Sequence, residues 1–202
     1  MYREIKQSMT DVERMFTLLN RAEEVEDAVD AQPLVVRGGE VKFEHVSFAY
    51  NADRPILHDV SFTIEPNTTT AVVGKSGAGK STLSRLLFRF YETQQGDILI
   101  DGQSVKSVTQ DSLRRAIGIV PQDTVLFNDT LGYNIRYGRP DATDEQVMQA
   151  ARAAHLSEFI SRLPDGLDTQ VGERGLKISG GEKQRVAIAR TLLKGTPILV
   201  FD

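Results

Sequence analysis

The stretch "GKSGAGKS", Gly74 to Ser81, decides the fold of this chain. It matches the pattern G-x-x-x-x-G-K-[ST], follows the short β-branched run "TTTAVVG" (68–74) and opens the apolar-periodic run "KSTLSRLLFRF". A phosphate chain needs several backbone N–H groups that converge on it, and a loop without bulky side chains at the start of a helix supplies them. The pattern therefore predicts a strand, a phosphate-binding loop and a helix.

The residue types at the end of this loop indicate how it would treat a nucleotide. Lys80 would reach the β and γ phosphates, and the Ser81 hydroxyl would ligate Mg²⁺. The last residues, "PILVFD", form a continuous apolar run, which predicts a strand covered on both sides that ends at Asp202. We expect Asp202 to hold the same Mg²⁺ through water, although a strand often ends in Asp simply because Asp forms turns.

Composition limits the classes of function. The 202 residues are 40% hydrophobic and 26% charged, as in a soluble globular protein, and the net charge of −4 gives no overall attraction to nucleic acid. No apolar run reaches the roughly 18 to 20 residues that cross a bilayer. Because there is no Cys, disulfides and thiolate metal sites are excluded.

The N-terminal part predicts a helix and a linker. Apolar residues at spacings of four and three fall on one helical face: Ile5, Met9, Val12, Phe16 and Leu19. The acidic run that follows, 23–30, is typical of a solvated linker. We expect residues 1–31 to be this helix and linker, and the main domain to cover 32–202.

The remaining pattern predicts an α/β domain. Residues 41–64 indicate two antiparallel strands with a bulge near Glu44 and His45, "GDILIDG" a strand that ends in an Asp-Gly turn, and "AIGIVPQ" a buried strand. Helical signals dominate about 123–178, where Thr143 and Gln146 can form a capping box.

Further motifs resemble those of the ATP-binding-cassette (ABC) ATPases. "ISGGEKQR" (178–185) resembles their signature motif, and their order of motifs recurs from about Leu34 to Asp202. The resemblance implies an α/β P-loop NTPase core with an N-terminal antiparallel β subdomain and a helical subdomain at about 123–178. It implies ATP and Mg²⁺ as cofactors. The residues that match the family's nucleotide-contacting positions are Tyr50, Gly74, Ser76, Gly77, Gly79, Lys80, Ser81, Thr82, Gln122, Ser179, Gly180, Gly181, Glu182 and Asp202.

The resemblance also implies the roles. Tyr50 would stack on adenine, Gln122 would sense the γ-phosphate and Mg²⁺, and Lys80, Gln122 and Asp202 would serve catalysis. Each has a simpler explanation: Tyr50 as a core residue of an alternating strand, Gln122 as a plain loop residue, and Ser179 as an ordinary helix cap. In the family the signature contacts the ATP of a second ATPase domain, so the resemblance implies a dimer.

The resemblance is closest to exporters whose membrane and ATPase domains share one polypeptide. "TQVGERG" (169–175) resembles their coupling loop, with Gln170 where general exporters often have Glu, and "GIVPQDTVLFNDTLGYNIRYG" resembles half-transporters linked to iron–sulfur assembly and heavy-metal tolerance. This implies a transmembrane domain in the same polypeptide and a place at the cytosolic or matrix face of a membrane. The opening "YREIKQSMTDVERMF" would then be the cytosolic end of the last transmembrane helix, with an isolated amphipathic helix as the alternative. The resemblance also implies a small transported compound, related to glutathione or linked to metals, that this domain does not bind.

The end of the chain raises alternatives. The family usually has Glu after the Asp that Asp202 matches, then further motifs with a switch His, so we expect the chain to be C-terminally incomplete and to bind MgATP while hydrolysing it poorly. The alternatives are a soluble ABC ATPase of DNA repair or translation, and a nucleotide-binding module without turnover. A P-loop kinase is a more distant alternative, because such an enzyme needs no signature segment.

Overall fold

A computed structural model describes residues 2–19, 25–51, 53–173 and 175–202. A short 3₁₀ turn, Gly166–Asp168, lies between the helix Ser157–Ser161 and the strand Gln170–Val171. The helices and strands follow one another along the chain in this order: α1 (Tyr2–Leu19), β1 (Val41–Asn51), β2 (Arg54–Ile64), α2 (Lys80–Leu87), β3 (Gln95–Ile100), β4 (Gln103–Ser104), α3 (Gln110–Ala116), β5 (Ile117–Val120), β6 (Asp129–Thr130), α4 (Leu131–Arg136), α5 (Asp144–Ala153), α6 (Ser157–Ser161), β7 (Gln170–Val171), α7 (Gly180–Lys194) and β8 (Ile198–Phe201).

One sheet is antiparallel and has the strand order β2-β1-β3-β4. The register of β1 shifts between Phe43 and Val46, and His45 there has a φ of 50°. Both the antiparallel pairing and the bulge predicted from the sequence are therefore confirmed. The Asp-Gly turn after β3 is also confirmed, since Asp101 and Gly102 have φ values of 48° and 75°.

The Asp101 carboxylate fixes the segment that leads into β1. It accepts hydrogen bonds from the backbone N–H groups of four successive residues, Arg37, Gly38, Gly39 and Glu40. Burial alone would raise the pKa of Asp101, but these four donors outweigh it and lower the pKa to about 2. The turn at the end of β3 is thereby joined to residues 37–40, just before β1.

A second sheet brings β5 and β8 together as parallel neighbours, with Val120 opposite Phe201. The strand predicted for "PILVF" is confirmed, but the prediction that it is covered on both sides is wrong. Leu199 and Phe201 are 43% and 64% exposed, so the described residues leave these two side chains of β8 partly uncovered.

The strand predicted for residues 68–74 is also wrong. No strand is assigned there, and Val72 and Val73 are exposed. A β-branched run becomes a strand only where a neighbour pairs with it, and no described segment does so.

Two clusters of buried side chains form the interior. One lies between the antiparallel sheet, α2, α3 and β5, and includes Leu86, Ile98, Ile100, Leu113 and Ile117. The other joins α4, α5, α6 and α7, and includes Leu131, Ile135, Val147, Leu156 and Val186. The capping box of Thr143 and Gln146 is confirmed at the start of α5. The domain boundaries at 31/32 and at about 123–178 stay predictions.

The N-terminal segment differs in part from the sequence prediction. The helix is confirmed as α1, and Met9, Val12 and Phe16 on its predicted apolar face are exposed, while the side chains of Ile5 and Leu19 lie outside the described residues. Within the described ranges, no helix has both the length and the hydropathy that a bilayer crossing requires. The described part of the acidic run, 25–30, is not simply a solvated linker, since Asp27 is bonded to a buried arginine.

Candidate functional site

The phosphate loop leads into the open end of α2. Gly79, the N-cap residue, has a φ of 90°, and a Cβ there would meet Leu57 Cδ2 at 2.8 Å, so only glycine fits without strain. This N-cap offers no side-chain acceptor, and the first turn of α2 holds no acidic residue. The N–H groups and the dipole of the helix therefore face the loop, and no residue of the helix itself supplies an anion to them.

Lys80 lies over this loop. Its Nζ donates hydrogen bonds to the carbonyl oxygens of Gly74 and Lys75, both at 3.0 Å. Among the described residues, its recorded acceptors are these two neutral carbonyl oxygens, so its charge is available to an anion in the loop. Gly77 also belongs to the loop and has a φ of 81°.

Ser81 and Asp202 come together across 121 positions of sequence. Ser81 Oγ donates a hydrogen bond to Asp202 Oδ1 at 2.7 Å, and the backbone N–H of Asp202 donates to Val120 O at 3.0 Å. The parallel pairing of β5 with β8 therefore places the Asp202 carboxylate at the first turn of α2. A hydroxyl and a carboxylate are oxygen donors of the kind Mg²⁺ prefers, so this pair fits the predicted metal.

Other ligands of that metal would come from outside the protein. Among the described residues, no three His, Asp or Glu side chains lie together as a metal-binding group. Mg²⁺ usually keeps water and substrate phosphates among its ligands, so one carboxylate and one hydroxyl suffice.

Gln122 lies at the same edge of the β5–β8 sheet. It is exposed and follows the end of β5 by two residues, as Asp202 follows β8 by one. No hydrogen bond within the described ranges joins Gln122 to Ser81 or Asp202. Gln122 therefore lies at the same sheet edge as Asp202, without a hydrogen bond to Asp202 or Ser81.

Tyr50 stands beside the phosphate loop at the end of β1. Its ring meets Phe48 and Tyr91 edge to face, and it is 38% exposed. The Tyr50 hydroxyl lies 3.4 Å from Thr82 Oγ1 on α2. The structure therefore brings Tyr50 to the same site as Thr82 and Ser81, with part of the ring accessible.

Arg85 and Tyr91 also lie at this site, although the sequence motifs did not predict them. Arg85 Nη1 donates to the Tyr50 hydroxyl at 3.0 Å, and the guanidinium carbon lies 6.0 Å from the Tyr50 ring centre. The available signal was helical spacing, since Arg85 follows Ser81 by four residues on one face of α2. Nothing in the sequence pattern marked Tyr91.

The signature residues lie at the start of α7. Ser179 Oγ accepts a hydrogen bond from the backbone N–H of Glu182, whose carboxylate accepts from the Ser179 hydroxyl and N–H at 2.7 and 2.8 Å. The Ser179 hydroxyl and then its N–H lower the pKa of Glu182. The capping box expected as the simpler explanation of Ser179 is therefore present.

The same turn is open to approach by another molecule. A Cβ added at Gly180 or at Gly181 would meet no atom within 4 Å. No hydrogen bond among the described residues links this turn to the phosphate loop. The structure thus groups the loop, Tyr50 and Asp202, and leaves Ser179, Gly180, Gly181 and Glu182 apart from them.

The family model for ABC transporters matches residues 57–202. Three similar curated proteins align with all of this chain. They are an ATM1-type heavy metal exporter of Novosphingobium aromaticivorans (58% identical), a mitochondrial iron-sulfur clusters transporter, atm1, of Aspergillus fumigatus (55%) and ATP-binding cassette sub-family B member 6 of Xenopus tropicalis (57%). The aligned part covers 33%, 28% and 24% of those proteins, so the chain spans a third of their length or less.

A solved structure is also similar to this chain. It is that of a bacterial Atm1-family ABC exporter with ATP bound, with a TM-score of 0.94 at 58% identity. The match covers all of this chain and 35% of that one. The predicted α/β fold and the resemblance to ABC exporters are confirmed by these findings.

Proposed function

This chain belongs to the ABC transporter family, and we propose that it is the domain that binds and hydrolyses MgATP to power an exporter of the Atm1 type. The observation that carries the proposal is the Ser81–Asp202 hydrogen bond beside the open first turn of α2. This hydrogen bond joins the helix turn that follows the phosphate loop to a carboxylate that is suited to bind Mg²⁺. The exporter relatives support this proposal over a soluble ABC ATPase.

The residues divide the work on the nucleotide. The loop N–H groups and Lys80 would hold the phosphates, and Tyr50 would receive the adenine on its exposed ring face. Ser81, Gln122 and Asp202 would hold Mg²⁺, which neutralises phosphate charge when bound. Phosphoryl transfer depends mainly on positioning and charge stabilisation, and these residues supply both.

The signature turn supports a proposed partner. The free space around Gly180 and Gly181 at the start of α7 would let a phosphate that is not on this domain's own loop approach the backbone closely. We assign that phosphate to the ATP of a second ATPase domain, so that two copies or two related domains close around two nucleotides.

The coupling to transport belongs to the proposal as well. We assign a transmembrane domain of the same polypeptide as the partner of 169–175, where β7 pairs with β6 and a Cβ at Gly175 would meet Gln170 at 2.6 Å. Arg174 of this loop lies outside the described residues. The ATPase domain would lie at the cytosolic or matrix face of the membrane, and the exported compound, metal-linked or related to glutathione, would bind elsewhere in the transporter.

The test is MgATP binding and phosphate release by the intact protein with Lys80→Ala. Loss of a charge-assisted contact to phosphate predicts at least about tenfold weaker binding and loss of turnover. Lys75→Ala is the matched control, because Lys75 lies in the same loop and offers Lys80 only its carbonyl oxygen. Unchanged MgATP binding in Lys80→Ala would contradict the proposal, and binding without phosphate release in the wild type would favour a binding module.

A further inference from the structure

Arg89 occupies a backbone position that normally suits glycine. It follows the C-cap Phe88 of α2 with a φ of 52°, and the N–H groups of Arg89 and Phe90 donate to the carbonyl oxygens of Leu86 and Arg85. This pattern is the Schellman motif, in which the left-handed residue is usually glycine. A bulky residue is retained in such a conformation when its surroundings fix it.

The side chain of Arg89 shows what fixes it. Only 3% of it is exposed, and the guanidinium donates to Asp27 Oδ1 at 3.1 Å, to the carbonyl oxygens of Glu26 at 2.8 Å and Val108 at 3.1 Å, and to Glu92 Oε1 at 3.0 Å. A buried guanidinium is stable only with such partners. The segment 25–27, which lies between α1 and β1 in the chain, is thereby bonded to the end of α2.

Asp27 also binds the start of α3. Its two carboxylate oxygens accept hydrogen bonds from the backbone N–H of Gln110, at 3.1 and 3.2 Å, while the N-cap Thr109 makes no side-chain cap. Gln110 Nε2 in turn donates to Val25 O at 3.0 Å. One carboxylate from the N-terminal segment therefore bonds the guanidinium beyond α2 and the first N–H of α3.

Both helices lead to the nucleotide site. Lys80 and Ser81 begin α2, the helix that Arg89 ends, and α3 continues directly into β5, which stops two residues before Gln122. Resting on the proposed function, we propose that Asp27 and Arg89 form a lock that couples segment 25–27 to the nucleotide site. Both are positioning residues, since neither lies in the phosphate loop.

The lock makes MgATP and segment 25–27 dependent on each other. Coupling between two sites is reciprocal, so MgATP should hold the segment as strongly as the segment favours MgATP, typically by about five- to 150-fold. A movement of the N-terminal segment would then change MgATP affinity without touching the loop. Segment 25–27 follows α1 along the chain. A movement of α1 is therefore the change that we expect this segment to transmit to the nucleotide site.

Hydrogen exchange of residues 25–32 in the intact protein, with and without MgATP, tests the lock. In the wild type we expect MgATP to slow this exchange at least about fivefold. Asp27→Ala should speed the nucleotide-free exchange about tenfold, weaken MgATP binding and abolish the response to MgATP. Glu92→Ala is the matched control, since it removes a more exposed carboxylate from the same guanidinium and leaves Asp27 in place.

Arg89→Gly separates the lock from folding. Glycine relieves the left-handed strain, so this variant should keep the helix end while losing the response of residues 25–32 to MgATP. A wild type that binds MgATP without any change at 25–32 would overturn the lock alone, as would equal effects of Asp27→Ala and Glu92→Ala. A wild type that binds no MgATP would overturn the proposed function and the lock together.

Discussion

The two helices that carry nucleotide motifs begin in opposite ways. The first turn of α2 follows Gly79, with no side-chain cap and no acidic residue, whereas α7 is closed by the capping box of Ser179 and Glu182. A helix end that lacks its own acceptor leaves N–H groups to a ligand, and one that is capped is stable by itself. We infer that α2 is completed by the phosphate, while α7 is preformed and presents its two glycines to a partner.

The glycines at the two helix starts should respond oppositely to alanine, and this is the largest expected effect. Gly79→Ala forces a φ of 90° on alanine and a contact of 2.8 Å with Leu57. The variant should therefore lose about 2 kcal/mol of unfolding free energy and should no longer bind MgATP at this loop. Gly181→Ala has open space and should gain up to about 1 kcal/mol, since alanine favours helix. Chemical denaturation of both variants measures the change in unfolding free energy, and changes of the same sign would contradict the proposed difference between the two helix starts.

The Ser81–Asp202 pair should make nucleotide binding depend on magnesium. Asp202→Asn and Ser81→Ala should each weaken MgATP binding about tenfold, or about 1.4 kcal/mol, with a much smaller effect on ATP in EDTA. Titration calorimetry with and without Mg²⁺ measures the difference. Ser84→Ala is the control, because the Ser84 hydroxyl donates to the Ser81 carbonyl oxygen and makes no other recorded bond within the described ranges. The same loss in EDTA would show that the pair does not hold the metal.

The capping box of α7 should contribute a pH-dependent stability. Ser179→Ala should cost about 1 kcal/mol near pH 7. The pKa of Glu182 is lowered in the folded state, so the stability from its charge is complete above the unfolded pKa of about 4.3 and is lost as the pH falls through the lower folded pKa. The cost of Ser179→Ala should therefore shrink in acid.

Thr143→Ala provides the matched control for that measurement. Its capping box on α5 uses Gln146, which does not titrate, so its cost should be similar near pH 7 and should not follow the titration of Glu182. Urea denaturation between pH 7 and pH 3 compares the two variants. Parallel curves for Ser179→Ala and Thr143→Ala would contradict the role of the Glu182 charge.

The contact between Arg85 and Tyr50 should have the smallest effect. Arg85→Met should weaken MgATP binding about twofold, because an exposed cation and ring interact by only about 0.5 kcal/mol. If the Tyr50 hydroxyl acts through Arg85, Tyr50→Phe should weaken MgATP binding in the wild type and leave it unchanged in the Arg85→Met background. A double-mutant cycle measures this coupling, and additive effects would exclude it.

Local sequence rules predicted the features that depend on neighbouring residues. The two capping boxes, the Asp101-Gly102 turn and the bulge at His45 each follow from the types of a few adjacent residues, and all are present. The phosphate loop was also evident, because its glycines and Lys80 recur at fixed spacing. The remaining candidate positions were predicted from the family resemblance and stay predictions.

The features that sequence rules missed join distant residues. Asp27 and Arg89 are 62 positions apart, and Tyr50 and Arg85 are 35 apart, so no local pattern marks either contact. The prediction of a strand at 68–74 was wrong for the same reason, since strand formation depends on a pairing neighbour elsewhere in the chain. Leu199 and Phe201 likewise are exposed because coverage of β8 depends on other segments.

The most direct test of the proposed nucleotide site is to map the backbone amides that MgATP protects from hydrogen exchange in the intact protein. The open first turn of α2 predicts that exchange across residues 75–82 slows about tenfold or more, and that Lys80→Ala removes the effect while Lys75→Ala keeps it. Exchange across 75–82 that does not respond to MgATP would contradict the claim that this helix start is the nucleotide site.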